Sequence, residues 1–203
     1  MFPVPSSTKI LMQADFAIEL GADDEVLEIP WSSPDGSVCH FDLRNRPENL
    51  SEIKEASQFP ELAEFLAAVN SHASVLATVK CDVWTSKEMN PEEDVFNAQC
   101  KFGSYVDLLF ADAASRFSFP AHEKFAARMT ELLKRVPDIP ASADFLVRRC
   151  YYHPSEPLET RDGFYITAYL FGYGSEEAQA RQQWGIGMKL VENAIRQISA
   201  EAK

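Results

Sequence analysis

Residues 75–85 read VLATVKCDVWT, and apolar and polar side chains alternate from Ala77 to Val83. Side chains of a β-strand point alternately to the two faces of a sheet, so a period of two predicts a half-buried strand. The predicted apolar face consists of Val75, Ala77, Val79, Cys81 and Val83. The opposite face carries Thr78, Lys80, Asp82 and Trp84.

The same period recurs in residues 98–110, 145–153 and 163–173, which predict three further strands. Residues 26–31 and 38–43 also alternate, and they flank Ser33-Pro34-Asp35-Gly36. Proline presets φ in such a turn and glycine accepts a positive φ, so these two segments predict a hairpin. Residues 116–119 are interpreted as one more short strand.

Three segments instead repeat their apolar residues at helical spacing, which predicts amphipathic helices over residues 60–69, 120–136 and from near Ser175 almost to the C-terminus. The predicted order is strand, strand, helix, three times over: residues 26–70, 75–136 and 145–200. We therefore expect an α+β fold, with a mixed, mainly antiparallel sheet built from hairpins and amphipathic helices packed on one face. Residues 25–203 are expected to form a single domain. Residues 1–24 are an N-terminal segment that the pattern leaves open between helix and strand.

The composition of the chain limits the classes of partner and the cellular compartment that we expect. The 203 residues carry a formal net charge of −12, which disfavours nucleic acids and anionic membranes, because both recruit basic surfaces. The N-terminal residues lack the pattern of a secretory signal, and no apolar stretch is long enough to span a bilayer. The four cysteines are widely scattered, as is typical of a reduced, cytoplasmic chain.

The predicted sheet face that is not covered by helices, called the second face below, combines polar and aromatic side chains. If the apolar faces meet the helices, the second face carries Lys80, Asp82, Trp84, Lys101, Tyr105, Asp107, Tyr165, Thr167 and Tyr169. Arg149, Tyr151 and His153 are expected as neighbours. Three interpretations stay open: an ordinary solvated face, a homodimer interface, and a small-molecule pocket.

The segment 148–153, RRCYYH, is the densest cluster of reactive groups. In a strand, Arg149, Tyr151 and His153 would project to one side, where a guanidinium could hold an anion while Tyr or His moves a proton. The turn Phe171-Gly172-Tyr173-Gly174 before the last helix is an incomplete phosphate-binding motif, because Glu177 stands where a third glycine is expected. No cysteine, histidine or acidic spacing matches a metal site, and no cofactor is expected.

Two functional hypotheses follow. The first is a non-catalytic binding or interaction domain, homodimeric, that uses the second face for self-association or for a small-molecule ligand. Its ligand or interface residues are Lys80, Asp82, Trp84, Lys101, Tyr105, Asp107 and Tyr169. The alternative is a cofactor-independent enzyme that acts on a small anionic substrate, in which Arg149 binds the anion and Tyr151, His153 or Tyr165 handles protons.

Overall fold

The computed structural model describes residues 12–36, 39–89, 97–136, 139–153 and 160–202, and in these ranges helices pack against a six-stranded sheet. The strands are β1 (Gln13–Glu19), β2 (Leu27–Ile29), β3 (Leu76–Ser86), β4 (Cys100–Phe110), β5 (Ala141–Tyr152) and β6 (Arg161–Gly174). The helices are α1 (Lys54–Gln58), α2 (Pro60–Val69), α3 (Ala113–Arg116), α4 (Phe119–Leu133) and α5 (Glu177–Glu201), and a 3-10 helix (Pro47–Glu52) precedes α1.

The sheet is mixed and mainly antiparallel, so the predicted α+β class is confirmed. Its strand order is β1-β5-β6-β4-β3, and β2 also pairs with β5. β3, β4, β6 and β5 are joined by antiparallel pairing, whereas β1 and β2 both run parallel to β5. β1 pairs with residues 142–148 and β2 with residues 150–152, so the two short strands follow each other along one edge. Part of the N-terminal segment that the pattern left open is therefore a strand.

The three predicted amphipathic helices are confirmed as α2, α4 and α5, and they supply the core on one side of the sheet. The largest buried side chain is Trp184 of α5, whose indole N–H donates to Ser104 Oγ at 2.8 Å. Gly172 of β6 permits this contact: a Cβ there would collide with backbone atoms of Ala180 and Trp184. Val79, Phe102 and Ile166, all predicted to be buried, are 8%, 2% and 0% exposed.

The predicted hairpin at residues 26–43 is wrong as a pair of strands. The turn itself forms, with the Gly36 N–H donating to Ser33 O at 2.8 Å and φ +71° at Gly36. Beyond it, the described residues show only one antiparallel bridge, between Ser32 and Cys39. β2 pairs with β5 instead, because a two-stranded hairpin buries little by itself, whereas the sheet buries both Leu27 and Ile29.

Two further local predictions are corrected. Residues 116–119 are the junction of α3 and α4 and not a strand, because Asp112 and Ser118 accept backbone N–H groups and begin a helix each. In β3, the register shifts between Thr78 and Cys81, which is a β-bulge. Thr78 therefore lies on the helix side, where it bonds to Asn70, and Val79 lies on the second face.

None of the helices in the described part of the chain is both long and apolar enough to cross a membrane.

Candidate binding face of the sheet

The second face changes character along its length, and at one end it is apolar and covered. Leu27 and Ile29 pair with Cys150 and Tyr152, so their side chains lie on the same face and extend it sideways. The cluster is completed by Val79, Leu109 and Tyr165, with Trp31 and Phe117 packed against it. Tyr165 is only 1% exposed, so this candidate proton-handling residue lies inside the covered end.

A buried polar network occupies the middle of the second face, and Asp107 is its central residue. Asp107 is 4% exposed and accepts a 2.7 Å hydrogen bond from Thr167 Oγ1. Thr167 Oγ1 in turn accepts from Arg148 Nη1 at 3.3 Å, and Arg148 Nε donates to Glu19 at 2.7 Å. A carboxylate of Glu25 lies 3.6 Å from the same guanidinium. The network therefore connects the edge strand β1 to the centre of the sheet.

The Asp107 carboxyl titrates close to neutral pH. Burial raises its pKa to about 6, although the hydrogen bond from Thr167 and the nearby ammonium of Lys80 act in the opposite direction. Burial also raises the pKa of the Tyr105 hydroxyl, and the carboxylates of Asp107 and Asp82 add to this effect. A buried carboxyl group with such a pKa is more typical of functional positions than of ordinary structural ones.

The other end of the second face carries four aromatic side chains, called the aromatic patch: Trp84, Tyr105, Tyr169 and Phe171. All four are half-buried, and their rings contact one another. The centroid distances are 5.9 Å for Trp84–Phe171, 6.0 Å for Tyr105–Tyr169, 6.3 Å for Trp84–Tyr105 and 6.4 Å for Tyr169–Phe171. The ammonium of Lys101 lies 5.5 Å from the Phe171 ring. The patch is a continuous aromatic surface that is partly open to solvent.

Gly103 lets these rings lie close to the sheet. It stands on β4 between Lys101 and Tyr105, on the second face. A Cβ at this position would lie 2.9 Å from the Phe171 ring and 3.0 Å from the Trp84 ring. The absence of a side chain at this position therefore allows the two rings to meet over the backbone.

The structure does not bring Arg149, Tyr151 and His153 together on the second face, where they were expected. Arg149 pairs with Phe164 and follows Phe145 and Val147, both in the core on the helix side, and Tyr151 continues that alternation. His153 lies beyond the end of β5, with Nε2 3.5 Å from a Glu28 carboxylate. Arg148 takes the position on the second face that was assigned to Arg149. In a strand, a shift of one residue moves a side chain to the opposite face of the sheet.

Phe171, Arg148 and Glu19 are among the contributors to this face that sequence reasoning missed. Phe171 continues the alternation of Tyr165, Thr167 and Tyr169, so the pattern itself could have indicated it. For Arg148 the signal is ambiguous, because two arginines are adjacent and only one can face each side. Glu19 gives no local signal, since its contact depends on the long-range pairing of β1 with β5.

Metal and phosphate sites receive no support from the described residues. Among them, no three His, Cys, Asp or Glu side chains come together in a way that could hold a metal ion. The glycines before α5 serve close packing: a Cβ at Gly174 would lie 2.6 Å from the backbone N of Ala180.

Comparisons with known proteins add no information about the role of this face. No family model matches the chain, and the searches of curated proteins and of solved structures return no significant match.

Proposed function

We propose that this protein is a non-catalytic interaction domain that forms a homodimer through the aromatic patch. The observation that carries the proposal is the contact of four half-buried rings on one side of the sheet. Tyrosine and tryptophan are enriched at the centres of protein interfaces, where they provide most of the binding energy.

The charges around the patch suit a second copy of the same chain. Two copies with a net charge of −12 each repel one another, so contact is favoured where the local charges balance. The second face carries Lys80 and Lys101 together with Asp82 and Asp144. A twofold interface sets the same surface against itself, and it therefore needs both signs on one patch.

The size of the patch is consistent with the centre of such an interface. Four aromatic side chains of about 200 Å² each, of which at most about a third is open, would bury at most roughly 270 Å², about a third of the roughly 800 Å² that each partner of a standard interface buries. The charged side chains around the rings would supply the polar rim.

The test compares a change inside the patch with a matched change outside it. We expect the wild-type protein to sediment as a dimer and Tyr169→Arg to sediment as a monomer. Placing a guanidinium among the rings should weaken association by at least about thirtyfold, the effect of a typical hot-spot residue. Tyr151→Arg is the control, because Tyr151 is also half-buried but lies on the helix side of the sheet.

Sedimentation velocity over a range of concentrations gives both association constants. A monomeric wild-type protein at every concentration would refute the proposal. The same conclusion would follow if Tyr169→Arg and Tyr151→Arg assembled equally well.

A cofactor-independent enzyme that acts on a small anion is the second candidate function, and the near-neutral Asp107 favours it. A general acid or base works best when its pKa lies near the working pH. In this version Arg148 would hold the anion instead of Arg149, although Glu19 and Glu25 already neutralise its guanidinium. Titration with inorganic phosphate and with acetate, followed by amide NMR shifts, tests it: no shift at Arg148 or Thr167 would exclude this candidate.

A further inference from the structure

A groove of about 520 Å³ runs along the outer edge of β3, next to the aromatic patch. Trp31, Cys39, Phe41 and Leu43 form one wall, and residues 52–55 form another. Leu66 of α2, residues 78–82 of β3 and Tyr105 of β4 complete the lining. Five separate parts of the chain therefore line the groove, and it is large enough for a small molecule.

Two aromatic rings in the groove already hold an ammonium group. Lys80 Nζ lies 5.2 Å from the centroid of the Trp31 ring and 5.3 Å from that of the Tyr105 ring. Both distances fall within the range in which a cation is attracted to a ring face. The β3 bulge includes Lys80, and bulges commonly redirect a side chain near a functional site. We call Trp31 and Tyr105 the aromatic clamp.

The remaining charges of the groove favour a cation over an anion. Among the described residues that line it, Glu52, Glu55 and Asp82 supply three carboxylates, against the two ammonium groups of Lys54 and Lys80.

The thiol of Cys81 lines the groove close to two of these carboxylates. Burial raises its pKa to about 12, and the carboxylates of Glu55 and Asp82 act in the same direction. A carboxylate near a thiol disfavours the thiolate, so the direction of this effect agrees with the excess of carboxylates among the lining residues.

We propose that the groove binds a small organic cation, whose ammonium group takes the place of Lys80 Nζ between Trp31 and Tyr105. Lys80 then acts as a built-in competitor: its flexible side chain fills the clamp in the free protein and swings into solvent when the ligand binds. The apolar part of the ligand lies against Phe41 and Ile53. One chain supplies every residue of the groove, so the inference does not require the dimer, but Tyr105 belongs to both the aromatic clamp and the aromatic patch.

The test uses choline as the cationic probe and its neutral tert-butyl analogue as the uncharged probe, with calorimetry as the readout. We expect choline to bind and the neutral analogue to bind at least about fivefold more weakly, since only the cation gains from the rings. Lys80→Ala should bind choline about fivefold to tenfold more tightly than wild type, because the clamp is vacated. Lys54→Ala is the matched control, because it also removes an ammonium group from the groove. Its affinity for choline should increase less than that of Lys80→Ala.

Clamp variants complete the design. In the Lys80→Ala background, Trp31→Leu and Tyr105→Leu should each lose choline binding, with circular dichroism as the check on folding. If Trp31→Leu does not fold, Tyr105→Leu still decides the question. Any of three outcomes would overturn the proposal. The neutral analogue binds as tightly as choline, Lys80→Ala and Lys54→Ala gain the same affinity for choline, or no variant binds choline.

Repeating the titration in Phe171→Arg separates this inference from the proposed dimer, because Phe171 lies in the aromatic patch and contacts Trp84 and Tyr169, whereas the clamp consists of Trp31 and Tyr105. Choline binding by the monomeric variant would support the groove by itself. Loss of choline binding in that variant would overturn the proposal that one chain forms the complete site.

Discussion

Replacing Asp107 by asparagine should stabilise the protein at neutral pH. The folded structure raises the pKa of this carboxyl from 3.8 to about 6, chiefly through burial. A difference of this size corresponds to about 3 kcal/mol, because each pKa unit is worth about 1.4 kcal/mol. Asparagine keeps an oxygen for the hydrogen bond from Thr167 and removes the buried charge. The free energy of unfolding of Asp107→Asn should therefore exceed that of the wild type at pH 7 by up to about 3 kcal/mol.

The sign of the pH dependence follows from the direction of the pKa change. An acid whose folded pKa is raised destabilises the fold where it is ionised, so the full cost is present above about pH 6. This destabilisation by the ionised carboxyl decreases as the pH falls from about 6 to 3.8, where the carboxyl of the unfolded chain also becomes protonated. The advantage of Asp107→Asn should accordingly disappear near pH 4.

Urea unfolding of both proteins at pH 7 and near pH 4 measures this difference. Asp82→Asn is the matched control, because Asp82 lies on the same face but is exposed, and its effect should stay within about 0.5 kcal/mol. A less stable Asp107→Asn protein at pH 7 would refute the reasoning, since the carboxylate would then be a net structural support. The predicted outcome would mean that Asp107 reduces stability, which is typical of residues kept for a function.

The close contact between β6 and α5 predicts that Gly172→Ala destabilises the protein by about 3 kcal/mol, because the new Cβ would collide with backbone atoms of α5 that cannot move aside. By contrast, Gly185→Ala should stabilise the protein by up to about 1 kcal/mol through helix propensity, since the closest contact of the new Cβ is the flexible Glu61 side chain at 3.2 Å. Urea unfolding measures both free energies, and equal changes for the two variants would contradict this account. Burial lowers the pKa of His122 below 6.5, so its neutral form supports the fold above that pH and stability is lost as the pH falls below it. His122→Phe should therefore lose less stability than the wild type between about pH 7 and 5, as measured by thermal unfolding at each pH. If stability depends on pH equally in both proteins, His122 is not the source of the loss.

Local periodicity was sufficient for most of the secondary structure. The alternation at residues 75–85, 98–110, 145–153 and 163–173 predicted β3 to β6, because a strand that is buried on one face must alternate. The apolar spacing of α2, α4 and α5 was equally direct. These elements also placed Trp84, Tyr105 and Tyr169 on one face, where the structure has them in contact.

Other features depended on contacts between distant parts of the chain. The pairing of β2 with β5, in place of a local hairpin, adds Leu27 and Ile29 to one end of the second face, where they join the apolar cluster that contains Tyr165. The same parallel edge brings Glu19 to Arg148, and nothing near either residue in the sequence indicates the other. The groove requires residues 31–43 to lie beside β3, which no periodicity specifies.

The sequence alone determined the strands β3 to β6 and the helices α2, α4 and α5, and that part of one sheet face would be polar and aromatic. Only the tertiary structure decided that Arg148 and not Arg149 lies on that side, and that Val79 joins the second face. The physical reason is that a period of two defines two alternating sets of side chains, whereas a bulge or a shift of one residue exchanges the faces that they occupy.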